Sequence, residues 1–364
     1  MKIRTVKIFR YDLPLRFPLT LKNHPLRTRS GLILRLEDCH GATAYGEAAP
    51  LPGFSVERLD DVQEEAIRVA RSITGCTIPQ ELVPLSDRFE RWLYAHNLSP
   101  SLNCALQAAV MDLLARDAGR SLSRFWNQDA PHVIPINALL PAEQGDPIET
   151  ATQLHAAGYR TLKIKVGRGD MPREAATIRA IHDALAGDIT LRLDANRAWD
   201  LDTATQFAGL IHDCPVEYIE EPLADPSQLV RFSSQTGIPV ALDETVIECG
   251  LDDLERWRGV RAVVLKPMLL GGFEIAIWMA RRAVNLGMTP VVSSTFESGV
   301  GLLALAHFAA ALDQPGVAAG LDTHRWLAHD LLEDPLDMTR GSLDLEKYGH
   351  PLLRLDALHE VAYD

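Results

Sequence analysis

Cysteine is scarce in this 364-residue sequence: Cys39, Cys76, Cys104, Cys214 and Cys249 are the only five. An odd number without a CxxC pair excludes a disulfide scaffold and fits reduced thiols, buried as small side chains, in a cytoplasmic compartment. Long apolar runs are missing too. The longest, Gly299 to Leu312, is interrupted by His307, bounded by Glu297 and Asp313, and too short to span a membrane. The opening MKIRTVKIFRYDLP alternates charged and apolar residues like a strand and lacks the apolar core of a signal peptide. Basic residues are outnumbered, 36 against 49, for a formal net charge of −13. A diffuse acidic surface argues against nucleic acid as a partner, and nothing calls for a membrane. Walker A, GxGxxG, HExxH and GxSxG are all absent, and the twelve histidines show no ligand spacing. With 47% apolar and 23% charged residues, long disorder is excluded as well.

What is present falls into two parts. Residues 1–12 and 31–37 read as strands, the second with Leu32, Leu34 and Leu36 on one face. Between them Pro18 to Ser30 reads as a basic, proline-containing loop. A second loop runs from Gly46 to Ser55, too rich in Pro and Gly to be regular. Helical patterns follow at about 56–74, 79–96 and 101–118, the last stopping at Gly119. This is an α+β region of about 125 residues with two long loops suspected of function.

From Val133 the pattern becomes periodic. The runs IPINALL, TLKIKV, ITLRLD, VEYIE, IPVALD, AVVLK, PVVSS and VAAGL alternate with amphipathic stretches, four of which close on Gly158, Gly187, Gly237 and Gly287. Eight strands separated by single helices predict parallel pairing and closure into a barrel, with a doubly wound open sheet as the alternative.

The run ends carry polar residues: Asn137, Lys165, Asp194, Glu220, Asp243, Lys266, Ser294 and Leu321-Asp322. In a barrel these face one mouth, where the chemistry of the architecture sits. A single acid there is equally a helix N-cap. Three acids at successive strand ends, with a lysine on either side, form a ring. Asp194, Glu220 and Asp243 are hard oxygen ligands suited to Mg²⁺ or Mn²⁺, and converging carboxylates call for a cation. A structural ion-pair network with the lysines is the alternative, and it gives no reason for their order. Lys163 and Lys165, two apart on one strand, point to the same face. An amine held partly deprotonated there can act as a base, with Lys266 across the barrel. Such a site suits enolate chemistry on a carboxylate. The segment Ser293 to Gly301 ends a strand and opens a helix, whose free N–H groups form a site for an anion, favoured as a carboxylate. Trp199 reads as packing.

TLKIKVG, LRLDANRAW, YIEEPL, ALDET, VVLKP and SSTFESGVG, in this order, resemble the enolase superfamily, and GEAAPLPGFS extends the likeness to the amino-terminal part. Within it, the SS…ES segment and Gly320-Leu321-Asp322-Thr323 are most similar to the o-succinylbenzoate synthase family of menaquinone biosynthesis. The resemblance implies a modified (β/α)7β TIM-like barrel at 132–322 with an α+β capping domain at 1–125, and a segment 323–364 packing back on the cap. It implies Mg²⁺ on Asp194, Glu220 and Asp243, Mn²⁺ being a possible substitute. Lys165 would abstract the proton α to the ring carboxylate of 2-succinyl-6-hydroxy-2,4-cyclohexadiene-1-carboxylate and return it to the departing hydroxyl. Lys266 would stabilise the enediolate, while Lys163 and Asn196 orient the carboxylate and metal. Ser294, and the backbone near Ser298 and Gly299, would contact the succinyl part, the 18–30 and 46–55 loops would close the site, and Arg27 and Arg29 are candidates for gripping substrate. The same scaffold also carries N-succinylamino acid racemases and dipeptide epimerases. A third reading, from another class, is a non-catalytic barrel, although the whole ring is present.

Overall fold

Alternation at the amino terminus produces strands, and longer ones than the sequence suggests. In the computed structural model, which describes residues 1–21, 24–79, 82, 88–93, 96–140 and 145–363, β1 (Ile3–Leu21) and β2 (His24–Asp38) form one antiparallel hairpin. Of the loop expected at Pro18 to Ser30, residues 18–21 and 24–30 are strand at the far end of this hairpin, and 22–23 lie outside the described residues. Pro18 falls in the register shift between Pro14 and Leu19, where a bulge accommodates a residue that cannot donate to the ladder, while Pro14 and Pro25 keep paired positions. β3 (Thr43–Ala48) pairs with the other edge of β2.

The two faces of this sheet go to different cores. Leu32, Leu34 and Leu36 join Ile8 in an apolar cluster with α1 (Leu59–Ile73) and α3 (Pro100–Asp117). Phe9, Tyr11, Leu13 and Ile33 on the opposite face belong to the large core that continues into the rest of the molecule. The sheet is thus buried on both sides. Of the helix expected at 79–96, α2 (Arg88–Leu93) is described, and positions 80–81, 83–87 and 94–95 lie outside the described residues. The short α4 (Leu122–Trp126) follows α3.

Next come β4 (Val133–Pro135), β5 (Ala138–Leu140), α5 (Pro147–Ala156), β6 (Thr161–Lys165), α6 (Met171–Ala184), β7 (Thr190–Asp194) and α7 (Leu201–Leu210). The alternation continues through β8 (Tyr218–Glu220), α8 (Leu229–Thr236), β9 (Val240–Leu242), α9 (Glu244–Glu248), β10 (Ala262–Leu265), α10 (Pro267–Leu270), α11 (Phe273–Asn285), β11 (Thr289–Val292) and α12 (Gly299–Ala311). Strands β5 to β11 lie in sequence order in one parallel sheet. The run VAAGL closes it: Ala319 pairs in parallel with Ile136, and Gly320 with Ser293. The architecture is the modified (β/α)7β barrel with an α+β cap. One correction concerns Asn137, which does not terminate its run. The ladder continues past it to Leu140, since IPINALL is apolar on both sides of the asparagine.

After the barrel, β12 (Ser342–Asp344) pairs antiparallel with β4, and β13 (His359–Glu360) adds to the free edge of β1 in the cap. All five cysteines are free. Among the described residues no helix is long and apolar enough to cross a membrane.

Candidate active site

Strand alternation and register assemble the site. Lys163 and Lys165 project from β6 to the same side, and the parallel register sets Lys165 beside Asp194 and Asp194 beside Glu220. Asp243 and Lys266 follow directly on β9 and β10, and Ser293 and Ser294 follow β11. Lys163, Lys165, Asp194, Asn196, Asp243, Lys266 and Ser294 line one cavity at the mouth of the barrel. Glu220 sits just behind, 1% exposed. The cavity's apolar walls come from Leu21 at the hairpin end, Leu51 and Phe54 of the 46–55 loop, Leu269 and Phe296.

The carboxylates are gripped by ammonium groups. Lys163 Nζ donates to both Glu220 oxygens at 2.8 Å and lies 2.8 Å from Asp194 Oδ2. Lys165 Nζ donates to Asp194 Oδ2 and Asn196 Oδ1, each at 2.6 Å. Lys266 Nζ donates to Asp243 Oδ2 at 2.5 Å. Burial alone would discharge the lysines. For Lys163 the surrounding Asp194, Glu220 and Asp243 outweigh burial and hold the amine well above its usual range. Lys165 goes the other way: burial, joined by the neighbouring Lys163 ammonium, lowers it against the pull of Asp194. Two lysines on one strand are thereby split into a fixed cation and an amine easier to deprotonate. Burial likewise pushes Glu220 up, helped by the Asp194 charge, whereas the two lysines hold Asp194 well below the usual carboxylate range.

No three His, Cys, Asp or Glu side chains among the described residues are gathered as one ion's ligand shell, because Lys163 lies between Asp194 and Glu220. The donor set still fits a hard divalent cation. Asp194, Glu220 and Asp243 are each at most 2% exposed, and Asp243 Oδ1 is buried with no hydrogen-bond partner. An unsatisfied buried carboxylate oxygen is costly and needs a cation or a donor.

Ser298 and Gly299 do not face this cavity, which corrects the expectation that they contact substrate. Ser298 donates through N (2.9 Å) and Oγ (2.6 Å) to Glu47, and Gly299 N donates to Asp330 Oδ1 at 2.7 Å. The helix end does bind carboxylates, but they are the protein's own. Arg27 is exposed and off the cavity, and Arg29 is buried behind the cavity wall, bonded to backbone carbonyls. Trp199 packs on Phe207 with ring centroids 4.6 Å apart.

Sequence reasoning missed Glu221 and Thr323. Glu221, fully buried with φ at +42°, accepts from Asp243 N (2.9 Å), Thr245 N (2.8 Å) and Thr245 Oγ1 (2.9 Å), and so fixes the backbone that presents Asp243. Its signal was the doubled acid of YIEEPL. Thr323 lines the cavity with its Oγ1 2.7 Å from Ser294 Oγ.

Comparison with known proteins bears on this site. Residues 147–350 match the family described as enolase C-terminal domain-like, and residues 3–84 match the MenC N-terminal domain. The o-succinylbenzoate synthase of Aliivibrio fischeri (strain MJ11) is 34% identical over 348 residues, covering 94% of this chain and 96% of that protein. Protein PHYLLO, chloroplastic, of Arabidopsis thaliana is 35% identical over 349 residues, 86% of this chain, and this chain spans only about 20% of PHYLLO's length. Among solved structures, the dipeptide epimerase of Enterococcus faecalis V583 complexed with Mg and L-Leu-L-Tyr superposes with a TM-score of 0.83 at 23% identity, over 99% of this chain and 100% of that one. That likeness shows the fold. The chain belongs to the enolase superfamily and, within it, to the o-succinylbenzoate synthase family. It is accordingly an enzyme of the hydro-lyase class, and its superfamily implies a divalent metal ion.

Proposed function

We propose that the protein dehydrates 2-succinyl-6-hydroxy-2,4-cyclohexadiene-1-carboxylate to 2-succinylbenzoate, a step of menaquinone biosynthesis. The observation that carries this reading is the placement of Lys165 and Lys266 on either side of the carboxylate ring in one cavity, in a chain whose full-length relatives are o-succinylbenzoate synthases. Asp194, Glu220 and Asp243 would hold the metal, Mg²⁺ or Mn²⁺, which when bound supplies positive charge to the substrate carboxylate. Lys165 Nζ, as the free amine, takes the proton α to that carboxylate, and the C–H electron pair moves into the carboxylate as an enediolate. Lys266 opposes the developing charge from the other side. The enediolate then collapses, the ring hydroxyl leaves, and the Lys165 ammonium gives its proton to it as water, so the ring becomes aromatic and the base is restored. Lys163 and Asn196 orient the metal-binding carboxylates and Lys165 respectively, and Ser294 offers a hydroxyl to the succinyl part. Leu21, Leu51 and Phe54 roof the cavity and keep water from the reacting carbon.

The partner is thus a small carboxylate, with neither nucleic acid nor membrane involved, and the enzyme works in the cytoplasm. A second reading, racemisation of N-succinylamino acids or epimerisation of dipeptides, is favoured by the same opposed lysines, one removing and the other returning a proton. A spectrophotometric assay with the cyclohexadiene substrate, with and without Mg²⁺, tests the choice. The expected result is Mg²⁺-dependent loss of the diene signal with 2-succinylbenzoate formed. No turnover by folded, metal-loaded protein would move the assignment to the racemase.

A further inference from the structure

Arg29 on β2 is 1% exposed, and the hydrogen bonds it makes among the described residues go to backbone carbonyls. Its Nη2 donates to Ala49 O and its Nη1 to Pro50 O at 2.8 Å and Ser30 O at 3.2 Å, while its Nε donates to Phe296 O at 3.1 Å. The guanidinium charge acts on buried Glu297, pulling its carboxyl down against the effects of burial and of Glu47, while every hydrogen bond of the fork goes to a backbone carbonyl. What the fork does achieve is connection. Ala49 and Pro50 begin the loop whose next residues, Leu51 and Phe54, form one wall of the cavity, a turn closed by Phe54 N and Ser55 N donating to Leu51 O. Phe296 belongs to the facing wall, in a segment with Thr295, Ser294 and Ser293. It holds φ at +62°, a left-handed conformation that a non-glycine residue keeps only when its surroundings impose it. The other side of the same loop is fixed to the barrel by Ala49 N donating to Met268 Sδ at 3.5 Å, two residues after Lys266.

We infer that Arg29 is a positioning residue for substrate, a clamp that sets the distance between the Leu51–Phe54 wall and the Ser294–Phe296 wall without touching the substrate itself. This inference rests on the proposed reaction. In it, the planar ring and its succinyl arm are held between those walls, so loosening the clamp weakens binding while leaving Lys165, Lys266 and the metal ligands in place.

The test compares wild type with Arg29→Met and Arg29→Lys. KM and kcat are measured for the cyclohexadiene substrate, together with the Mg²⁺ concentration for half-maximal activity and the affinity for 2-succinylbenzoate by calorimetry. The expected result is a KM raised about tenfold or more in Arg29→Met with kcat within about threefold, product affinity weakened in parallel, and an unchanged Mg²⁺ requirement. Arg29→Lys, which keeps the charge and loses the fork, should fall between. If Arg29→Met does not fold, Arg29→Lys alone decides. Unchanged KM and product affinity in a folded variant would overturn the clamp, as would a shifted Mg²⁺ requirement or failure of both variants to fold. A wild type that does not turn over the diene counts against the reaction instead, and the same KM comparison is then made with an N-succinylamino acid.

Discussion

Two sets of buried carboxylates lie at the same end of the barrel and serve opposite ends. Glu47, 2% exposed, is filled by donors fixed in the fold: Tyr11 OH at 2.5 Å, Ser298 N at 2.9 Å, Ser298 Oγ at 2.6 Å and Gly301 N at 2.8 Å. The approach demands glycine at 301, where a Cβ would lie 2.9 Å from Glu47 Oε2 and 2.8 Å from Glu297 Cβ. Asp194, Glu220 and Asp243 are buried as deeply, yet their charge is met mainly by lysine side chains, and one Asp243 oxygen has no partner. Both sets are buried to the same depth, so burial does not distinguish a ligand from a structural acid. The difference is whether the donors can leave. Backbone amides at the start of α12 cannot, and so Glu47 is a latch between cap and barrel. Ammonium groups on four-carbon stems can swing aside for a metal or a substrate.

The widest separation between the sets should appear on changing Lys165. Lys165→Ala is expected to lower turnover by roughly 10²–10⁴ or more while leaving the folding transition nearly unchanged, because it removes a positioned base while Lys163 Nζ still lies 2.8 Å from Asp194 Oδ2. Full activity in this variant would sink the base assignment and make the ring look as structural as Glu47. Next in size, Asp243→Asn should raise the Mg²⁺ concentration needed for half-maximal activity by about tenfold or more, with denaturant stability little altered. An unaltered Mg²⁺ titration would remove Asp243 from the ligand set.

The barrel and its ring were legible for a physical reason. The β/α step repeats, and strand alternation with parallel register carries the residues at successive run ends to one mouth, so local sequence determines a global position. Asn137 reaches the same mouth and lines the cavity, although its run continues apolar beyond it. The hairpin end escaped the rule because proline reads as a breaker wherever the ladder is assumed regular, and a register shift is invisible before pairing. Ser298 and Gly299 are the most instructive miss. A helix start offers free N–H groups to a carboxylate, and this one takes Glu47 and Asp330 of the protein itself. But the occupant of Ser298 is a glutamate 251 residues away in sequence, and no local pattern identifies a partner so distant.

The smaller predictions press on the latch. Glu47→Gln keeps the shape and removes the charge, so it should cost about 1–3 kcal/mol of stability by urea denaturation while the Mg²⁺ titration stays at the wild-type value. A shifted Mg²⁺ requirement would mean that the two carboxylate sets are coupled rather than distinct. Ser298→Ala should have the least effect. Its hydroxyl caps α12, with Val300 N donating to Oγ at 3.3 Å, and also donates to Glu47. Losing both contacts should cost about 1 kcal/mol, the usual size for an N-cap serine, because Ser298 N and Gly301 N still hold the carboxylate. KM for the proposed cyclohexadiene substrate should not move, since Ser298 lies off the cavity. A KM increase with stability intact would return Ser298 to the substrate, and the helix start would then serve ligand and latch together.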